Sequence, residues 1–126
     1  MAKKRRAMIH RRLYIVLLTA LLVGCYADLS PIESAGAEYR RNRSYKSLEV
    51  IYKSLFPGMQ RKEIERLLGE PDYSPGGGQY YYSSDRSVYV EEQEWEVVVG
   101  LVVDYRDKND AITETLQEFW LGPIGE

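Results

Sequence analysis

The apolar positions of this chain fall into three regimes. Leu13 to Val23 is a predominantly apolar run of 11 residues without a charge. From Tyr45 the spacing becomes helical: Tyr45, Leu48, Tyr52 and Leu55 follow at steps of three, four and three, with Ile51 on the same stripe. This predicts a helix that starts near Ser44, its N-cap, and stops at Phe56-Pro57-Gly58, where proline cannot continue the hydrogen-bond ladder. A shorter helix is predicted over Arg61 to Leu68, with Ile64, Leu67 and Leu68 on one face and Arg61, Lys62, Glu65 and Arg66 on the other. Gly69 closes it and Pro71 forbids extension. Gln60 is a weak cap for it, with Met59 placed to pack on Ile64 and Glu63 to reach back to the cap amide.

Beyond Asp72 and a Ser-Pro-Gly-Gly-Gly turn the period changes to two. Tyr80, Tyr81 and Tyr82 suit a half-buried strand, and Asp85 to Gln93 reads either as its extension or as a loop. Trp95 to Tyr105 is the clearest strand, with Trp95, Val97, Val99, Leu101, Val103 and Tyr105 on one face, predicted to be the core face. Arg106 to Asp110 is a polar connection, and Ala111 to Phe119 a return strand with Ile112 and Leu116 on one face. The tail from Trp120 to Glu126 reads as irregular. The fold class implied is α+β: two N-terminal helices packed on one face of a roughly three-stranded antiparallel meander.

The first regime has the form of a secretory leader. Lys3, Lys4, Arg5, Arg6, Arg11 and Arg12 precede an apolar run too short to span a membrane, since a spanning helix needs about 20 residues. The run ends in Leu22-Val23-Gly24-Cys25, the pattern of a bacterial lipobox. The expectation is cleavage between Gly24 and Cys25, with diacylglycerol and acyl modification at Cys25 and no other cofactor. The competing reading is a reduced core cysteine that happens to follow an apolar run. The chain then divides into a signal peptide (1–24), a lipidated Cys and small-residue tether (25–43), a domain (44–120) and a tail (121–126). At the distal end of the tether, Arg40, Arg41, Arg43 and Lys46 read first as a solvated helix start and second as a patch for anionic head groups.

Cleavage also changes the available chemistry. Six of the 17 basic residues and the only histidine, His10, leave with the leader, so eleven Lys and Arg face 19 Asp and Glu, a formal charge of −8. A mature chain of 102 residues without histidine or free thiol lacks the commonest general base and the preferred zinc ligands. Its charge disfavours nucleic-acid binding. The expectation is a non-enzymatic protein.

The run from Pro57 to Pro71 resembles the signature of the SmpA/OmlA, or BamE, family of small outer-membrane lipoproteins. Gly58, Met59, Ile64, Leu68, Gly69 and Pro71 fall at matching positions. Lipobox, two helices, aromatic strand and final hairpin correspond in order over most of Cys25 to Phe119. Gln60 departs from the family's Ser or Thr, and the acidic Glu91, Glu92, Glu94 and Glu96 depart in the middle strand, which suggests a paralogous or distant member. The resemblance implies a membrane-anchored lipoprotein at the periplasmic face of the outer membrane, with envelope proteins such as the β-barrel assembly machinery as partners. Tyr26 after the cysteine, in place of the Asp of the enteric inner-membrane retention signal, agrees with the outer membrane. In a host without one, the outer face of its single membrane takes its place. The helix-and-sheet unit also resembles the repeat of β-lactamase inhibitor protein, which implies an inhibitor or immunity-type binding module as the alternative.

Three clusters invite a chemical reading. The four glutamates at positions 91, 92, 94 and 96 offer oxygens to a hard cation, but strand positions spread them along a line, and a charged edge against self-pairing is the favoured account. Gly76-Gly77-Gly78 lacks the Lys-Ser/Thr of a phosphate-binding loop and precedes a strand, so it reads as a loop. On the second face of the long strand stand Val98, Gly100 and Val102. With one or two of Tyr80, Tyr81 and Tyr82 they form an apolar, aromatic partner patch if that face is open, or a buried layer if the tail or tether covers it.

Overall fold

The structure, a computed structural model, describes residues 30–125. The leader, Gly24, Cys25 and Tyr26 lie outside the described residues. Among the described residues three helices precede the sheet: α1 (Pro31–Asn42), α2 (Tyr45–Ser54) and α3 (Arg61–Leu68). Four strands follow: β1 (Tyr73–Gly76), β2 (Gln79–Val90), β3 (Trp95–Asp104) and β4 (Glu118–Pro123). The sheet order is β1-β2-β3-β4, every pair antiparallel. The class is α+β, with helices on one face of an antiparallel sheet. No helix among the described residues is long and apolar enough to cross a membrane.

Helix α1 stands where the sequence suggested a tether. Pro31 opens it at a position where a proline costs no hydrogen bond, Glu33 lies in the first turn, and Arg40 and Arg41 lie in the last. Its inward stripe is Ile32, Ala35, Gly36 and Tyr39, at helical spacing but built largely from small residues. The small residues allow close approach: a Cβ on Gly36 would sit 3.1 Å from the Leu67 carbonyl oxygen. Arg40 donates to the carbonyls of Arg66 (2.8 Å) and Leu67 (2.7 Å), satisfying the open C-terminal end of α3.

Helices α2 and α3 lie where the pattern put them. Ser44 caps α2 through Ser47 N–H, whereas Gln60 makes no side-chain cap bond to α3. Gly69, at φ 77°, ends α3 in a left-handed conformation that suits glycine. Leu48, Ile51, Ile64, Leu67 and Leu68 meet Tyr82, Leu101, Val103, Tyr105 and Leu116 in one core.

The sheet extends beyond the expected three strands. Tyr73–Gly76, which takes in the first half of the expected Ser-Pro-Gly-Gly-Gly turn, pairs with β2 and returns through Gly77 and Gly78. Asp85 to Val90 continues β2 after a register shift between Ser83 and Ser87. The last strand is displaced: residues 111–117 are mostly irregular, and pairing runs from Glu118 to Pro123, overlapping the expected strand only at Glu118 and Phe119 and continuing into the expected tail from Trp120. Leu116 is buried while Ile112 is 56 % exposed, so the two do not share a face. The long irregular segment is held instead by α3's entrance, where Gly58 and Arg61 N–H groups donate to the Leu116 and Glu114 carbonyls, and Leu116 N–H donates to that of Met59.

Candidate functional site

The alternation of β3 sorts the candidate residues. Leu101, Val103 and Tyr105 face the helices, Val97 and Val99 on the same side are buried, and Trp95 at the strand's start is 52 % exposed. The expected core face is thus correct over its central part and fails at its first residue. Tyr80 and Tyr82 pair with Val103 and Leu101 and share the helix side. The Arg61 guanidinium lies 4.8 Å from the Tyr80 ring centre and 5.0 Å from that of Tyr105, and it donates to the Tyr80 hydroxyl at 2.9 Å. Tyr82 is buried and donates to the Gly69 carbonyl. Neither tyrosine belongs to an outer patch.

Tyr81 does. It stands beside Val102, with Trp120 on the other flank, and Tyr73 opposite Tyr81 makes an edge-to-face ring contact at 5.7 Å. These neighbours seal Val102, which is 1 % exposed. Gly100 is covered in turn. Ile124 N–H donates to the Val98 carbonyl at 2.9 Å, and its Cδ1 would lie 2.5 Å from a Cβ on Gly100. Of the sequence candidates, Val98 and Tyr81 therefore keep accessible surface, while Val102 and Gly100 are buried beneath side chains of the same sheet and the tail. Tyr73 and Trp120 complete the face, and the signal that marks them is their registration with Tyr81 and Val102.

Between Tyr73, Tyr81, Val98 and Ile124 the face dips into a shallow cavity of about 300 Å³. Its polar rim is Asp72, whose Oδ2 accepts from the Ser83 N–H (2.8 Å) and hydroxyl (2.9 Å) and whose Oδ1 lies 3.3 Å from Arg43. A pocket with an apolar floor and a paired carboxylate at its edge can receive an apolar side chain of a partner.

A second concavity, of about 410 Å³, lies at the opposite end of β3 among Asp104, Arg106, Asp107, Lys108, Asp110 and Glu118. Arg106 donates twice to Asp104, at 3.0 and 2.7 Å, and these bonds hold the Asp104 carboxyl below the usual range against the opposing effect of burial. Its central charges neutralise one another. Glu91, Glu92, Glu94 and Glu96 are all exposed around the turn that joins β2 to β3. No group of side chains close enough to hold a metal ion is present among the described residues.

The resemblance residues are structural in this fold. Met59, Ile64 and Leu68 are buried in the core, Gly58 and Gly69 take positive φ values at the two turns, and Pro71 follows the second. They position α3 against the segment that leads into β4. No protein-family model, curated protein or solved structure matches the chain.

Proposed function

We propose that this protein is a lipid-anchored envelope lipoprotein that works by protein–protein contact, in outer-membrane β-barrel assembly or envelope integrity, without catalysis of its own. The observation that carries this reading is the complete lipobox Leu22-Val23-Gly24-Cys25 ahead of a folded domain. Two or three acyl chains, each methylene contributing about 0.8 kcal/mol, fix such a domain to a bilayer surface. The mature composition supports a binding role, because neither histidine nor free thiol accompanies the domain. The sheet's outer face supplies a contact surface in Tyr73, Tyr81, Val98 and Trp120, the aromatic and aliphatic mixture enriched at interfaces. The SmpA/OmlA resemblance supports the barrel-assembly machinery as partner, by analogy of fold and motif.

The test combines palmitate labelling with affinity purification from detergent-solubilised envelope. Wild type is expected to incorporate label, fractionate with the outer membrane and retain barrel-assembly subunits, and Cys25→Ser to lose all three. A Val98→Ser/Trp120→Ser double variant is expected to keep the label and lose the subunits. Absence of label overturns the anchor, and absence of assembly subunits from the labelled wild type overturns the assembly role.

A further inference from the structure

Strand β2 outruns the elements that cover its outer edge. Asp72 N–H donates to the Tyr81 carbonyl, the Asp72 carboxylate accepts the N–H of Ser83, and the Arg43 carbonyl accepts that of Asp85. In an antiparallel ladder every second residue turns its backbone groups away from the partner strand. Ser83 pairs with Gly100, Ser87 with Val98 and Tyr89 with Glu96, so Ser87 and Tyr89 also present their backbone groups to the outer edge. No described strand pairs with them there. This part of the hairpin, closed by the turn at Glu91–Glu94, projects beyond β1 as an arm. Tyr89 is 61 % exposed, and the arm from Ser87 to Val98 carries four carboxylates and no basic residue, with Lys46 and Arg86 standing at its base beside Ser87.

We propose that the β2 edge at Ser87–Tyr89 is an acceptor site for an extended, cationic segment of a protein partner, one that alternates Lys or Arg with aliphatic residues. Backbone pairing supplies the attachment, and the carboxylates at Glu91, Glu92, Glu94 and Glu96 select the charge. A second copy fits poorly, since pairing arm to arm sets these carboxylates against their own kind. An anionic lipid surface is repelled for the same reason. The inference rests on the reading that the protein works by protein contact, and it adds the chemistry of the partner.

The probe is a fluorescein-labelled, end-blocked heptapeptide alternating Lys and Val, titrated by anisotropy against the purified full chain in detergent. Alternating Lys-Gly and Glu-Val peptides and phosphatidylglycerol vesicles serve as comparisons. The Lys-Val peptide is expected to bind at least tenfold more tightly than either comparison peptide, with weakening by salt and protection of the Ser87 and Tyr89 amides from hydrogen exchange. Ser87→Pro removes an outward donor without touching the β2–β3 ladder and is expected to weaken binding at least tenfold at an unchanged melting temperature. The triple charge reversal Glu91→Lys/Glu92→Lys/Glu94→Lys is expected to do the same.

Equal binding of the Lys-Gly peptide, tighter binding to the vesicles, or wild-type affinity in a folded Ser87→Pro chain overturns the proposal. If Ser87→Pro fails to fold, amide protection in the wild type decides: protected Ser87 and Tyr89 support it and unprotected ones overturn it. Because the titration needs no envelope partner, its failure leaves the palmitate and co-purification results standing, and their failure leaves the titration interpretable.

Discussion

The Tyr39 hydroxyl donates a 2.7 Å hydrogen bond to the carbonyl of Ser83, fastening α1 to β2 across 44 residues of sequence. The ring is fully buried and Arg43 lies 4.9 Å from its centre. Tyr39→Phe keeps the ring and strands the carbonyl. The expected cost is about 1–3 kcal/mol, read as a lower urea midpoint at constant m-value.

Tyr105→Phe is expected to act with the opposite sign. The Tyr105 hydroxyl is buried without a hydrogen-bond partner, so its removal relieves a desolvation cost while the ring keeps its place beside Arg61. Stability is expected to rise by about 1 kcal/mol in the same urea assay. A loss as large as that of Tyr39→Phe overturns this account.

Stability is expected to fall at both ends of the pH range. Burial pushes the Tyr39 hydroxyl up to about 12, and raises those of Tyr82 and Tyr105 as well. Above the ordinary tyrosine value of about 10 the unfolded chain releases protons that the folded chain keeps, so stability is full below that pH and declines as pH rises toward 12. Asp104 behaves inversely. Its carboxyl is lowered by the Arg106 bonds, so its contribution is present above the ordinary aspartate value and lost as pH falls below it. Denaturant midpoints across the range, with tyrosinate absorbance at the alkaline end, measure both limbs.

Gly100→Ala is expected to be among the most damaging small substitutions in the sheet. The added methyl would overlap the Tyr82 carbonyl oxygen and press on Ile124 Cδ1, so backbone must move as well as side chain. An overpacking cost of about 1–3 kcal/mol is expected. Paired with Ile124→Ala it should be only partly relieved, since the backbone oxygen stays; complete rescue would assign the strain to the tail alone.

The elements legible in the sequence are those whose burial is carried by large apolar side chains. Leu48 and Ile51 marked α2, Ile64, Leu67 and Leu68 marked α3, and Leu101, Val103 and Tyr105 marked β3. Helix α1 escaped because Ala35 and Gly36 supply half of its inward stripe, and small residues that enable close packing read as spacer. Strand β4 escaped because Gly122 and Pro123 are tolerated at an edge where a ladder bond is dispensable. The outer patch was half legible. The parity of Val98, Gly100 and Val102 follows from the strand period, but which tyrosine joins them depends on the register of β2, and what covers Gly100 depends on where Ile124 comes to lie.

Helix α1 packs locally on α2, where the Ser47 hydroxyl donates to Glu38, but the hydrogen bonds that tie it to α3 and β2 reach 26, 27 and 44 residues from Arg40 and Tyr39. The β2–β3 hairpin, by contrast, closes over the short turn between Val90 and Trp95. Distant contacts reward the chain only after the intervening loops have closed, so the hairpin is placed to form early and α1 to dock late. The first described helix is then placed to settle late, onto α3 and a β2 edge already formed. Substitutions in its contacts should accordingly speed unfolding more than they slow folding.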